Sequence, residues 1–263
     1  MSTRSTPWQA GTPSWADLTT PDATAAAAFY TAVMGWEVHD RGADFGHYAV
    51  CTRDGHAAAG LGPAASPDQP TAWTTYLAVD DVEKVAESVV THGGTLLVPP
   101  VTVADQGRMA LALDPTGAPF GLWQALSMIG AELVNEPGGM VWNEHHSADP
   151  EAARAFYGAV LGHTYTVVEG GEGYTTIDGA GPGNTVGGIG GLAADEAGGP
   201  SSWAVYFAVD DADAAVAAAT ARGGHVVSGP DDTPFGRMAT LTDPQGARFS
   251  IMGVAATPEA GGS

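Results

Sequence analysis

The second half of this sequence repeats the first, segment by segment. The segment that begins WADLTTPDATAAAAFY at Trp15 returns as WNEHHSADPEAARAFY at Trp142, an offset of 127 residues. Two later segments return in the same order, WTTYLAVDD as WAVYFAVDD and GRMALALDPTG as GRMATLTDPQG. Because several segments recur in order with nearly constant offsets, the chain consists of two homologous halves.

Each half shows the same helix and strand signals. A strand-like segment leads to an acidic helix start at Asp22 or Asp149, and the helix ends at Gly35 or Gly162. A second strand follows later in each half, then an Asp-Asp cap, a helix that stops at a Gly-Gly pair, and two strands joined by an Asp-Pro-x-Gly turn. The pattern predicts a βαβββ unit that occurs four times in the chain.

The repeats also predict the domain boundaries. We expect a first domain at residues 11–126 and a second at residues 140–254. The segment SMIGAELVNEPGG, residues 127–139, is then the linker. The sequence leaves open which two units pair to form each sheet.

Charge and composition exclude several classes of partner. The chain has 30 acidic and 9 basic residues and a net charge of −21, which repels nucleic acid and anionic membranes. It has no apolar run of about 20 residues and no signal-peptide pattern at its start. Cys51 alone makes no internal disulfide. We therefore expect a cytoplasmic protein, either a monomer with pseudo-two-fold symmetry or a homodimer.

Two motifs in combination resemble a known superfamily. The helix motif AFYxxVxG and the strand motif DPxGxxF occur in both halves, and together they resemble the vicinal oxygen chelate superfamily, which includes glyoxalase I, extradiol dioxygenases and bleomycin-resistance proteins. The resemblance implies an α+β fold in which four βαβββ units form two tandem domains, with curved mixed sheets around cavities. In the metal enzymes of the family, each such cavity holds a divalent ion on four inward His, Glu or Gln side chains.

The positions that correspond to the metal ligands carry other residue types in this chain. Each half has four such positions, and the one in the glycine-rich strands shows only small residues. None of these side chains is a usual ligand of a divalent cation, so the sequence predicts no metal and no cofactor. The corresponding residues are Trp15, Thr74 and Gly121 in the first half and Trp142, Ala204 and Ser250 in the second.

Strand alternation predicts which side chains face the cavities instead. If Trp15 points inward, Asp17 does too, and inward Trp142 brings Glu144 and His146 to the same face. Indole and phenol rings with a few polar anchors suit a planar aromatic small molecule. The expected ligand-binding residues are Trp15, Asp17, Thr74, Tyr76, Trp123, Trp142, Glu144, His146, Tyr206 and Met252.

Structural roles for these residues remain open. The two tryptophans could fill a closed core, and Tyr76 and Tyr206 could simply bond to the carboxylates. An inward carboxylate on a central strand is costly unless it is paired or hydrated, so Asp17 and Glu144 favour a polar cavity.

Two functions are compatible with these residues. The first is a metal-independent protein that binds a planar aromatic compound or natural product, for sequestration, resistance or an accessory role in biosynthesis. The alternative is an enzyme, a lyase, isomerase or hydroxylase-like activity, in which Glu144 and His146 or Asp17 act as catalytic acid–base groups. A third hypothesis is a metal enzyme that uses a shifted site around Glu144 and His146, completed by residues from elsewhere in the chain.

Overall fold

The computed structural model describes residues 3–179 and 184–254, which contain two eight-stranded sheets. The first half contains strands β1–β8 at Pro13–Thr20, Glu37–Asp40, Ala49–Arg53, His56–Pro63, Ala72–Ala78, Thr95–Val103, Gly107–Leu113 and Pro119–Ala125, and helices α1 at Ala23–Met34 and α2 at Val82–Thr91. The second half contains strands β9–β16 at Met140–Ser147, Thr164–Val167, Thr175–Asp178, Thr185–Gly191, Ser202–Val209, His225–Thr233, Gly236–Thr242 and Arg248–Gly253, and helices α3 at Pro150–Leu161 and α4 at Ala212–Thr220.

Each sheet is built from one half of the chain. The strand order is β2-β3-β4-β1-β5-β8-β7-β6 in the first half, and the second half has the equivalent order β10-β11-β12-β9-β13-β16-β15-β14. In the first sheet β1 pairs with β4 in parallel and with β5 in antiparallel orientation. The predicted βαβββ units are confirmed, and the two units of one half join through their first strands, a pairing that the sequence had left open.

The helix boundaries follow the capping residues of the sequence. The Asp22 and Asp149 side chains accept hydrogen bonds from the third backbone N–H beyond them, at the starts of α1 and α3. Both helices end at glycines in the left-handed conformation, Gly35 and Gly162, each with φ of 71°. A non-glycine residue would be strained at these positions, which explains why both repeats carry glycine there.

The main core lies between the two halves. Helix α1 packs against α4, α2 packs against α3, and strands β5 and β13 also meet. One face of β1 turns Ala16 and Leu18 into this core, where they join side chains of both halves, Phe207 and Phe249 among them. Trp15 therefore lies on the opposite face of the sheet, away from the helices.

A hydrogen-bonded group, which we call a clasp, occurs twice across the boundary between the halves. In the second clasp, Trp203 donates to the Tyr157 hydroxyl at 2.8 Å, and this hydroxyl donates to Asp114 of the first half at 3.0 Å. The first clasp repeats this arrangement with Trp73, Tyr30 and Asp243. The repeated Phe-Tyr and Asp-Pro-x-Gly motifs thus join the two halves.

Only the second clasp contains a histidine. His145 is fully buried and its Nε2 lies 2.7 Å from an oxygen of Asp114. His145 alternates with Glu144 and His146 along β9, so it points away from the cavity face and into the core beside Asp114. Within residues 3–179 and 184–254, no helix has the length and apolar character that a membrane span requires.

Candidate ligand-binding site

The cavity face of the first sheet encloses a space of about 550 Å³. Strands β1, β5 and β8 supply its inner wall, and the β2–β3 and β6–β7 connections supply its mouth. Aromatic and methionine side chains make up much of the lining. The lining residues are Trp15, Asp17, Arg41, Asp44, Phe45, Tyr48, Val50, Tyr76, Thr102, Val103, Ala104, Gln106, Met109, Trp123 and Met128.

A directed chain of hydrogen bonds ends at the carboxylate of Asp17 on the inner wall of this cavity. The indole N–H of Trp15 donates to the hydroxyl oxygen of Tyr48 at 2.9 Å. The Tyr48 hydroxyl donates in turn to Asp17 at 3.3 Å, and Tyr76 is a second hydroxyl donor to the same carboxyl group. Both tyrosine protons are therefore committed to Asp17, which acts as the acceptor of the group.

Burial controls the ionisation of these groups. Desolvation raises the pKa of Asp17 to about 6, although the hydrogen bonds from Tyr76 and Tyr48 act in the opposite direction. Desolvation also raises the pKa of both tyrosines, and the nearby charge of Asp17 adds to this rise. At neutral pH the tyrosines are therefore protonated donors, while Asp17 titrates only slightly below neutrality.

The structure brings together four of the residues expected in the first half, namely Trp15, Asp17, Tyr76 and Trp123. Thr74 lies opposite Asp17 in the strand register, but it is half-buried and does not line the cavity.

Sequence reasoning missed Tyr48, which donates directly to Asp17. A signal for it exists in the repeat, because Tyr48 and Tyr174 each immediately precede the third strand of their half. It also missed Arg41 and Phe45, which lie in the connection between β2 and β3. This connection has no periodic pattern from which a side-chain direction follows.

The second half repeats the arrangement around Glu144. Tyr206 donates its hydroxyl to Glu144 at 3.1 Å, and Trp142 bonds to the hydroxyl of Tyr174. Desolvation and the charge of Glu144 raise the pKa of both Tyr174 and Tyr206. Met252 lies on β16, where it faces Met238 of the neighbouring strand in the register.

His146 has no counterpart in the first half, where Thr19 holds its position. Its Nδ1 lies 2.7 Å from Glu196, and its Nε2 lies 3.7 Å from Glu144. Desolvation lowers the pKa of His146, but the hydrogen bonds and charges of Glu144 and Glu196 outweigh it, so the pKa is raised. Arg248 in turn pairs with Glu196. Each imidazole nitrogen thus faces a carboxylate.

The residues of the first cavity do not fit the divalent ion of the family's metal enzymes. The ring of Tyr76 covers Gly121, the position that the resemblance assigns to a metal ligand, so closely that even a Cβ atom there would overlap it. The Tyr48 hydroxyl covers Gly60 in the same way, and the Tyr174 hydroxyl covers Gly188 in the second half. Within the described parts of the chain, no group of three or more His, Cys, Asp or Glu side chains could hold a metal ion.

This packing predicts different costs for two strand glycines. We expect Gly121→Ala to lower the free energy of unfolding by about 1–3 kcal/mol, since the Tyr76 ring must move. Gly191 is the matched control, because a Cβ there meets open space and its backbone has no positive φ. Urea unfolding of both variants tests the difference. Equal effects would show that Tyr76 does not fill the ligand position.

Two comparisons with known sequences identify relatives of this chain. The model of the Glyoxalase/Bleomycin resistance protein/Dioxygenase superfamily matches residues 12–122 and 146–251. A protein named "Putative glyoxylase CFP32", from Mycobacterium tuberculosis (strain CDC 1551 / Oshkosh), is 45% identical over 253 residues, 93% of this chain and 95% of the relative. The anthracycline biosynthesis protein DnrV of Streptomyces peucetius is 39% identical over 259 residues, 92% of this chain and 93% of the relative.

Solved structures share the fold at low sequence identity. The Mn(II)-bound glyoxalase from Novosphingobium aromaticivorans has a TM-score of 0.65 and 17% identity, with 92% of this chain and 82% of that chain covered. The 2,3-dioxygenase LapB from Pseudomonas sp. KL28 has a TM-score of 0.63 and 14% identity, with 97% of each chain covered. The fold, the repeated motifs and the family match agree, and the chain belongs to the glyoxalase/bleomycin resistance protein/dioxygenase superfamily.

Proposed function

We propose that this protein binds a planar aromatic small molecule in the cavity of its first half, without a metal ion. The observation that carries the proposal is the position of the two tyrosines. The Tyr76 ring lies over Gly121, where the family resemblance places a metal ligand, and Tyr48 lies over Gly60. Both direct their hydroxyls at Asp17. In the proposed site, tyrosine rings fill the region where the metal enzymes hold their ion, and they line a pocket for an organic ligand.

The polar atoms of the cavity walls support this proposal. The indole N–H of Trp15 donates to Tyr48, and that of Trp123 donates to the carbonyl oxygen of Met128 at 3.0 Å. The indoles therefore need no hydrogen bond from a ligand and can pack against it through their faces. The thioethers of Met109 and Met128 add polarisable surface that adapts to aromatic rings.

The size of the cavity and one relative support the same class of ligand. A volume of about 550 Å³ lies within the usual range of small-molecule pockets, about 300–1,000 Å³. The relative DnrV is named for anthracycline biosynthesis, and anthracyclines contain fused planar rings. We propose that this chain has a related role with an aromatic natural product, in its biosynthesis, its sequestration or resistance to it.

A pair of matched compounds tests the preference for planar rings. We expect 2-naphthol to quench tryptophan fluorescence saturably, while its saturated analogue decahydro-2-naphthol binds at least about fivefold more weakly because it cannot stack on the indoles. Calorimetric titration of both compounds checks the affinities independently of fluorescence.

The two halves supply a control for the location of the site. We expect Trp15→Phe to weaken 2-naphthol binding, whereas Trp142→Phe, the equivalent change in the second half, leaves the affinity unchanged. Binding that depends on Trp142 rather than Trp15 would place the site in the other half. Equal affinity for 2-naphthol and its saturated analogue would contradict an aromatic pocket.

Acid–base catalysis is the second candidate function. The raised pKa of Asp17, about 6, makes both protonation states accessible near neutral pH, as a general acid or base requires. Glu144 and His146 are the corresponding groups of the second half. Mass spectrometry of the recovered ligand after prolonged incubation separates the two functions: an unchanged ligand supports binding, and a new product supports catalysis.

A further inference from the structure

Arg41 differs from the other basic side chains of the protein. Of the 9 lysines and arginines, eight bond through their side chains to carboxylates or backbone carbonyls within the described residues. The Arg41 guanidinium has no such partner there. Its CZ atom lies 5.4 Å from the centroid of the Phe45 ring, and both side chains line the mouth of the first cavity. A planar donor group is thus held at the cavity without an acceptor.

Asp17 is complementary to Arg41 in hydrogen bonding. An ionised carboxylate has about four lone-pair sites and no proton to donate. Tyr48 and Tyr76 supply two donors to it. Asp17 also lines the cavity, so a ligand that contacts its remaining acceptor sites must bring a donor. The cavity therefore presents an acceptor on its inner wall and a donor at its mouth.

We infer that the cavity selects aromatic ligands with a hydroxyl group at one end, facing Asp17, and a carbonyl oxygen at the other end, facing Arg41. The inference rests on the proposed function, since it assigns the polar ends of the ligand that the aromatic walls hold. A neutral carbonyl fits better than a carboxylate because Asp44 also lines the mouth and the protein carries a net charge of −21.

The carbonyl end is tested with 2-naphthol and 6-acetyl-2-naphthol. We expect the acetyl group to tighten binding to the unmodified protein about fivefold, as one added hydrogen bond does. This gain should disappear in Arg41→Gln and persist in Arg222→Gln, which removes the same charge from a side chain that follows α4 and does not line the cavity. The corresponding pair on a three-ring anthracene skeleton covers a larger separation between Asp17 and Arg41.

The hydroxyl end is tested with 2-methoxynaphthalene, which has the same ring but no donor. We expect 2-naphthol to bind more tightly than the methyl ether, and Asp17→Asn to reduce this preference. The inference is overturned if the acetyl gain is absent on both skeletons, or if it survives in Arg41→Gln. If none of the ring compounds binds at all, the proposed function itself fails, and the inference fails with it.

Discussion

Replacing Asp17 by asparagine is expected to stabilise the protein by about 3 kcal/mol at pH 8 and to change its stability little at pH 4. Burial raises the pKa of Asp17 from 3.8 to about 6, and each unit corresponds to about 1.4 kcal/mol. The folded state binds this proton more tightly than the unfolded state does. In the unmodified protein, the contribution of Asp17 to stability is therefore complete below pH 3.8 and is lost as the pH rises through about 6. Asparagine carries no charge at either pH and avoids this loss.

Urea unfolding between pH 4 and pH 8 measures this effect. Asparagine keeps the size of the side chain and an acceptor for Tyr48 and Tyr76, but it removes the charge that burial penalises. Asp44→Asn is the control, since Asp44 is an exposed carboxylate at the mouth of the same cavity, and we expect it to change the stability by less than about 0.5 kcal/mol at either pH. A difference for Asp17→Asn that is the same at pH 4 and pH 8 would contradict a buried carboxylate.

A more stable Asp17→Asn variant would also bear on function. A residue that costs stability at neutral pH and weakens ligand discrimination when replaced is kept for binding or chemistry, not for folding. The same variant should therefore gain stability and show a reduced preference for 2-naphthol over the methyl ether.

Removing Asp114 is expected to have the opposite effect on stability. We predict that Asp114→Ala lowers the free energy of unfolding by about 4 kcal/mol or more, because it leaves several buried donors unsatisfied. Asp114 accepts hydrogen bonds from Tyr157 at 3.0 Å and from the backbone N–H of Ala118 at 3.1 Å, and it lies 2.7 Å from His145. Tyr157 and His145 belong to the other half, so the change also weakens the joint between the halves.

The pseudo-symmetry of the clasps provides the control for Asp114. Asp243 accepts from Tyr30 and from the equivalent turn backbone, but Leu18 holds the position of His145. We expect Asp243→Ala to cost about 1–3 kcal/mol less than Asp114→Ala, the cost of one additional unpaired polar group. Chemical denaturation of both variants measures the difference. Equal losses would show that the His145 contact adds nothing to the second clasp.

The pH dependence of the Asp114 contribution has the opposite sign to that of Asp17. Desolvation raises the pKa of Asp114, but the hydrogen bond and charge of His145 outweigh it, and the pKa is lowered. The stabilisation is therefore present above the ordinary value of 3.8 and is lost as the pH falls further.

The fold could be predicted from the sequence because the relevant signals are local or repeated. The caps at Asp22 and Asp149 and the terminal glycines define α1 and α3, and the repeat doubles every such signal. The pairing of units could not be predicted, because equivalent units offer equivalent edges. The observed pairing joins β1 to β5. The sequence pattern of these two strands does not indicate which other strand each one pairs with.

The candidate site was predictable in part for the same reason. Strand alternation places Trp15 and Asp17 on the cavity face, and the structure agrees. Arg41 and Tyr48 are the first and last residues of the connection between β2 and β3. This connection contains a short 3₁₀ turn at Ala43–Phe45 and a positive φ at His47. Such a path follows no period, so the direction of its side chains does not follow from spacing.

The contacts of His146 could not be predicted either. Strand alternation placed His146 beside Glu144, but its shorter contact is with Glu196, which belongs to a 3₁₀ turn at Ala194–Glu196 fifty residues later. The two residues meet only because this turn returns to the end of β9. A repeat pattern does not predict a contact that depends on the conformation of a loop. The first half offers no guide either, because Thr19 holds the position of His146 there.

The most direct measurement is a calorimetric titration of 2-naphthol into the full-length protein, before and after dialysis against a chelator. We predict saturable binding with the same affinity in both samples, because aromatic walls and Asp17 hold the ligand without an ion. Addition of Mn²⁺ to the dialysed sample should leave the affinity unchanged. Binding that vanishes on dialysis and returns with Mn²⁺, or no saturable binding in either sample, would contradict the account.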